Sequence, residues 1–355
     1  MAAGKVVHVV GTGTIGEPLI GLFCSFREQL GIGEVTFHKR SPILTDRARI
    51  KSMISKGAKL AVDEHLRDDF SAMGHEPSFT HEEALDRADV VIDCTPSGSG
   101  LRHKTELYEP RLAPGRGFLA QGSEFGFGKM YARGINDAAL VPGEDQFLHI
   151  VSCNTHNLSV LIQSLAIESG KGLEEARFTC MRRANDISQT GSFVPAPQVG
   201  KHGDPIFGTH HARDAHHLFQ TLGKDMRMFS SAIKLNTQYM HAVHFSLKLQ
   251  DTITAEEAIE LLGGNDHIAL TQKNSSNVVF SFGRDQGHYG RILNVAVVVV
   301  PSLTVRDERE VVGFCFTPQD GNSLLSSIAA TCWFLDPETY VERIQCLSGL
   351  FFDEV

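Results

Sequence analysis

KVVHVVGTGTIGEPLIGLF, residues 5–23, decides the fold. Val6 to Val10 form an apolar run of strand length, interrupted by His8, and from Ile15 onward the apolar residues recur at helical spacing. Between strand and helix stand Gly11, Gly13 and Gly16 in G-x-G-x-x-G order. That spacing lets the backbone approach a pyrophosphate, while the start of the next helix offers unbonded N–H groups and a positive dipole end. In this strand–turn–helix setting the glycines predict a dinucleotide-binding α/β domain, with a ligand-free Gly-rich turn as the plainer alternative.

The next strand, EVTFHKR (34–40), ends in His38, Lys39 and Arg40, where NAD-selective folds usually place an acidic ribose ligand. A basic end suits the extra phosphate of NADP, so NADP is favoured over NAD. Residues 44–88 read as polar and helical. DVVID then gives a third strand, Val90 to Cys94, with Cys94 a packed thiol and a Gly/Ser/Pro loop at its C-terminal end, where open α/β sheets bind ligands. GFLAQGSEF (117–125) and QFLHIVSC (146–153) are further strands, and the alternation means a doubly wound sheet.

From residue 173 the texture changes. EARFTCMRR, YMHAVHFSLKL, NVVFSF, ILNVAVVVV and REVVGFCF read as longer strands with helices between some of them, an α+β domain with a mostly antiparallel sheet. The expected division is 1–152 for the cofactor domain, 153–320 for the catalytic domain, and 321–355 for a helical region packing back on the first. A length of 355 residues supports two domains. A net charge of -9 argues against a general nucleic-acid-binding surface. The longest apolar run, NVAVVVVP, is too short to span a membrane. Seven cysteines without a C-x-x-C pair, and a strand-like run close to the N-terminus, lead to an expectation of reduced thiols and a cytoplasmic protein.

Cys153 stands where a strand ends and the apolar-periodic run SVLIQSLAI begins. A helix N-terminus there would stabilise its thiolate and hold an oxyanion, with Ser152 as cap and Asn154 and Thr155 adding hydrogen bonds. A packed core thiol is the plainer reading. A nucleophile needs a base. Strand alternation puts His241 on the apolar face with Val243, Phe245 and Leu247, and His244 on the other, so His241 is the candidate. Arg182–Arg183 and His210–His211 could bind an anion. His210, His211, His216 and His217 lack the spacing of a helical zinc site, and no metal is expected.

GTGTIG, ADVVIDCTPSGSG, AQGSE, IVSCNT, MRRANDIS, THHARD and QYMHAVH, in this order, resemble the archaeal-type (type II) glyceraldehyde-3-phosphate dehydrogenases. The resemblance implies a Rossmann cofactor domain, a catalytic domain, and commonly a homotetramer or another homo-oligomer acting in glycolysis and gluconeogenesis. It places the catalytic pair on Cys153 and His241, and substrate and cofactor contacts on Arg182, Arg183, Asp186, His210 and His211. Cofactor contacts fall on Thr14, Ile15, Lys39, the loop Thr95, Pro96, Ser97 and Gly98, and on Gln121 and Gly122, with Gln319 and Asn322 beside the nicotinamide. The substrates implied are a small phosphorylated aldehyde and inorganic phosphate. His156 and Asn157 replace the family's Thr and Gly, and TGSFVPAPQ (190–198) replaces its K/R-G-P-I-N-A-I run. His156, one helical turn from Cys153, is expected at the mouth of the pocket. A semialdehyde dehydrogenase or acyl-phosphate reductase using the same Cys and His, or a non-catalytic cofactor-binding paralogue, are the alternatives.

Overall fold

The Gly-loop strand, β1 (Val6–Val10), lies between β2 (Glu34–His38) and β5 (Val90–Asp93), parallel to both. In the computed structural model, which describes residues 4–355 apart from 187, 188, 190, 192 and 319, the chain divides into two compact units. The first comprises the chain up to Lys129, Leu140–Ile150 and Leu324–Ser348. Its sheet adds β3 (Lys59–Val62), β4 (Phe79–Thr80), β6 (Gly117–Gln121) and β8 (Phe147–Ile150) in the order β4-β3-β2-β1-β5-β6-β8, all parallel. This is a Rossmann-like sheet. The chain leaves the unit within β7 (Lys129–Tyr131). Residues 44–88, expected to be a polar helical region, contain β3 and β4 as well. Four- and two-residue strands are too short for their periodicity to show against the helices around them.

The second unit comprises Met130–Ala139, Val151–Ser323 and Gly349–Val355. Its strands are β9 (Leu173–Arg182), β10 (Gln198–Val199), β11 (Met228–Lys234), β12 (His241–Leu249), β13 (Ile268–Thr271), β14 (Ala296–Val299), β15 (Thr304–Arg306) and β16 (Glu310–Thr317). They form the sheet β10-β11-β9-β12-β16-β14-β13, with β15 beside β16. Among the described residues, only the β9–β11 and β13–β14 strand pairs of this sheet are parallel. NVVFSF, expected as a strand, lies in a helix, Ser276–Gln286. Val278, Phe280 and Phe282 alternate like a strand, but the buried positions are Val279 and Gly283, four apart.

Burial along β12 alternates throughout: His241, Val243, Phe245, Leu247 and Leu249 point inward. The Cys153–Ile162 helix packs on that inner face. Asn157 ties it down. Its amide donates to Thr317 Oγ1 (3.0 Å) and the Phe316 carbonyl (3.4 Å), and its carbonyl accepts from Cys315 Sγ (3.1 Å).

A group of histidines is buried in the first unit. His8 Nδ1 meets Thr36 Oγ1 at 2.7 Å, and His38 stacks on His81 with ring centroids 3.8 Å apart. Burial, then the neighbouring imidazoles and nearby cations, lower the pKa of His38 to about 4. Burial and His38 lower that of His81 to about 3. The folded protein keeps both rings neutral, whereas the unfolded chain protonates them below about pH 6.5.

Stability should therefore fall as pH drops below about 6.5, by about 1.4 kcal/mol per histidine per pH unit, until the folded pKa values are reached. Urea unfolding at a series of pH values checks this: His81→Gln should flatten the acid limb, and an unchanged slope would refute the assignment. Asn157→Leu should lower the unfolding free energy by about 2–4 kcal/mol, because it strands the Thr317 hydroxyl and the Cys315 thiol in the core. A variant as stable as the parent would show that those groups find other partners.

Candidate active site

The second unit resumes at Val151, after β8 of the first, and Ser152 leads into the Cys153–Ile162 helix. Ser152 is its N-cap: its Oγ accepts the Thr155 N–H (3.3 Å) and lies 2.8 Å from Thr155 Oγ1. Cys153 is the first helical residue and half-buried. Its carbonyl accepts from Asn322 Nδ2 at 2.9 Å, and the same amide reaches the Val295 carbonyl. Asn322 is thus a backbone clamp on Cys153. Gln319 lies outside the described residues.

His241 opens β12 opposite Thr317 of β16, and the Thr317 hydroxyl donates to Asn154 Oδ1, next to Cys153. Arg183, at the end of β9, links the same groups from the other side. Its backbone N–H donates to His241 Nδ1 at 3.0 Å. Its guanidinium donates to Asp186 Oδ1 (2.7 Å) and to both Asp320 oxygens (3.3 Å). Arg183 and Asp320 are only 7% and 6% exposed. Asp320 and its role as the second carboxylate on Arg183 were not foreseen from sequence.

Two expectations change here. The helix N-terminus was expected to stabilise the Cys153 thiolate. Instead burial, followed by the Asp320 charge, pushes the Cys153 pKa up to about 12, with Arg183 opposing only in part. His241 was expected to be a base. With Nδ1 accepting the Arg183 N–H, its neutral ring carries the proton on Nε2, so the free side of the ring is a donor. Burial and the two arginines hold its pKa well below the usual histidine value, which keeps it neutral. His156 also differs from expectation. Its ring is fully buried and Nδ1 lies 3.0 Å from the Ser152 carbonyl, folded back on its own helix rather than out at the pocket mouth.

Beside this cluster a cavity of about 400 Å³ is lined by Arg182, Lys201, Asp204, Thr209, His210, His211 and Arg213, around the start of the His210–Gln220 helix, with Arg213 paired to Asp214. His211 Nδ1 lies 3.4 Å from Ser152 Oγ. Burial, His210 and Arg182 keep His211 neutral, and its Nε2 has no hydrogen-bond partner among the described residues. Arg182 and Lys201, a helix N-terminus and a spare imidazole nitrogen are groups that suit an anion, offset in part by the Asp204 carboxylate.

In the first unit the three glycines each have a separate reason. Gly11 has φ +95°, a left-handed turn. A Cβ on Gly16 would stand 2.0 Å from the Gly11 carbonyl oxygen, so only glycine lets the helix come so close. A Cβ on Gly13 would meet no atom within 4 Å, leaving open space where a pyrophosphate has to approach. Thr14 follows in the turn, and Ile15 is the N-cap of the Gly16–Ser25 helix. The 95–98 loop is held from below. Asp93 accepts from Thr95 N (2.9 Å), Tyr108 and His103 (both 2.7 Å), while buried Glu124 takes the amides of Gly98 and Leu101. Pro96 and Ser97 are exposed above it, and Cys94, expected to be packed, is half-buried. Gln121 Nε2 donates to Ser327 Oγ (2.8 Å), and the Gly122 amide to the Ile150 carbonyl. These residues fit a dinucleotide. At the end of β2, Lys39 is paired with Asp46 at 2.5 Å, while Arg40 is exposed.

No protein-family model matches the chain. Curated relatives do. It is 28% identical over 276 residues to a glyceraldehyde-3-phosphate dehydrogenase of Methanobacterium bryantii, covering 75% of this chain and 74% of that one. It is 27% identical over 308 residues to the enzyme of that name from Hyperthermus butylicus, covering 84% and 83%. With the one from Methanococcoides burtonii it shares 31% over 233 residues, covering 62% and 64%. Rossmann-like sheet, mixed second sheet and these relatives make the chain an oxidoreductase similar to the archaeal-type glyceraldehyde-3-phosphate dehydrogenases.

Proposed function

We propose that the protein is an NAD(P)-dependent, phosphorylating aldehyde dehydrogenase acting on a small phosphorylated aldehyde, with glyceraldehyde 3-phosphate, named for its relatives, as the first substrate to test. The observation that carries this reading is a cysteine as first residue of a capped helix, with a buried arginine and a neutral histidine tied to each other around it.

The resting Cys153 is a thiol and must lose its proton to water before it attacks. Its thiolate adds to the aldehyde carbon, and the carbonyl oxygen becomes an oxyanion. His241 Nε2–H and the open amides of the Cys153–Ile162 helix are the donors suited to hold that charge. The nicotinamide of the bound cofactor supplies the hydride acceptor. As the carbon gives up its hydride the C=O bond reforms, leaving a thioester on Cys153. A phosphate oxygen then adds to the thioester, the C–S bond breaks, and acyl phosphate leaves with the thiolate restored. Arg182, His210 and His211 hold the phosphate groups. Gly11, Gly13, Thr14, Gly16 and the 95–98 loop would hold the cofactor.

Cys153→Ser should abolish turnover while leaving cofactor binding intact, because a hydroxyl lacks the thiolate's nucleophilicity. Comparable turnover in that variant would end the covalent reading. His241→Ala should slow the reaction by about two to three orders of magnitude, the usual effect of losing one oxyanion donor. If His244→Ala is the damaging change instead, the donor has been misassigned. Turnover of the parent without inorganic phosphate would remove the acyl-phosphate half of the scheme.

For the cofactor, Arg40 supplies the exposed cation at the end of β2, since the Lys39 charge is already offset by Asp46. NADP should bind more tightly than NAD, with the preference shrinking as salt rises. Fluorescence titration of both cofactors at two ionic strengths tests it, and equal affinities at low salt would assign no role to this basic turn.

A further inference from the structure

Lys39 leaves β2 with its backbone still in register, its N–H donating to the Ala61 carbonyl of β3 at 3.1 Å. Only its side chain is free to change partner, and Nζ lies 2.5 Å from Asp46 Oδ2. The two side chains are 16% and 25% exposed, so water screens this pair less than an open surface pair. Asp46 stands at the N-cap of the Arg47–Ser55 helix, where an aspartate ordinarily accepts an amide of its own helix. Its side chain makes no capping bond there, and the first turn of that helix holds no acidic residue. The carboxylate is committed to Lys39 instead.

The other charges of this turn divide in the same way. Residues 39–49 carry four cations, Lys39, Arg40, Arg47 and Arg49. Asp46 holds Lys39, and Arg49 Nε lies 3.6 Å from Glu17, in the first turn of the Gly16–Ser25 helix. Arg40 and Arg47 are exposed.

We infer that Asp46 sets how strongly the protein favours NADP over NAD: by holding the Lys39 amine it withholds that cation from the 2′-phosphate, the one group that distinguishes the two cofactors. The inference rests on the reading that the basic end of β2 receives the adenosine ribose. NADP must compete with Asp46 for Lys39, and a phosphate that meets the amine while it is still paired also meets a negative charge beside it. NAD carries a hydroxyl at that position and takes no part in the contest. Arg40 gives NADP its advantage, and Asp46 limits its size. An aspartate that served only to fasten the 39–46 loop would act on both cofactors alike.

The test is equilibrium calorimetric titration of both cofactors at low ionic strength, with thermal unfolding of each variant alongside. Asp46→Asn keeps the shape of the side chain and removes its charge. NADP should then bind about fivefold more tightly or better, the scale of one unit charge a few ångströms away in a water-like medium, while NAD should change by less than about twofold. In a Lys39→Met background the same change should bring NADP little, because there is no amine to release. Asp46→Ser, which can cap the Arg47–Ser55 helix, should act in the same direction and replaces the Asn variant should that one fail to fold. Unchanged NADP affinity in Asp46→Asn, an equal change for both cofactors, or a gain that persists in full without Lys39 would each overturn the inference. Failure of the underlying reading shows separately: Arg40→Ala and Lys39→Met would leave the ratio of NADP to NAD affinity where it was, and the inference would fall with it.

Discussion

One buried guanidinium organises the second unit. Arg183 is charged, nearly out of water, and set among groups whose reactivity depends on where its charge falls. A lone buried cation would be untenable, so two carboxylates converge on it. Burial first, and then their combined charge against that of the arginine, push the pKa of the neighbouring Cys153 thiol up. The arginine's own N–H then settles which nitrogen of His241 is protonated. Cysteine, histidine and two aspartates therefore form one electrostatic unit, in which no member's state can be read from its residue type alone.

The first unit shows the same economy with opposite polarity. There the recurrent theme is a buried carboxylate surrounded by donors. Asp93 ends the central strand β5, where burial alone would raise its pKa, yet His103, Thr95 and Tyr108 hold it below the usual carboxylate range. Histidines nearby remain neutral because desolvation outweighs any attraction to these acids. Polar groups are thus spent on fixing loops at the C-terminal ends of the strands, while Val10, Leu85, Val91, Tyr108 and Phe118 make the dry core beneath.

Much of this was legible in the sequence wherever a period of two or of 3.6 was sustained. β12 alternates over nine residues, so the inward face of His241 followed directly. The Gly-loop was legible because Gly11 and Gly16 answer backbone demands that other residues do not meet. Short strands such as β3 and β4 left no such trace, and the helix Ser276–Gln286 imitated a strand through three apolar residues at spacing two. Asp320 and Glu124 were invisible for a different reason: each acts through partners more than twenty residues away, which local pattern does not report. The His156 ring was misplaced because spacing gives the helix face but not the rotamer, and its bond to the Ser152 carbonyl turned it inward.

Glu124 has a consequence for the thermodynamics of ligand association. Loops that embrace a dinucleotide commonly become ordered only when it arrives, and part of the interaction energy is consumed in stilling them. Here the amides of Thr95, Gly98 and Leu101 already have carboxylate partners within the fold. The loop's freedom was surrendered when the chain folded. Calorimetric entropy of cofactor association would then reflect the ligand's own loss of motion and the water it releases, because this part of the protein has little disorder left to give up.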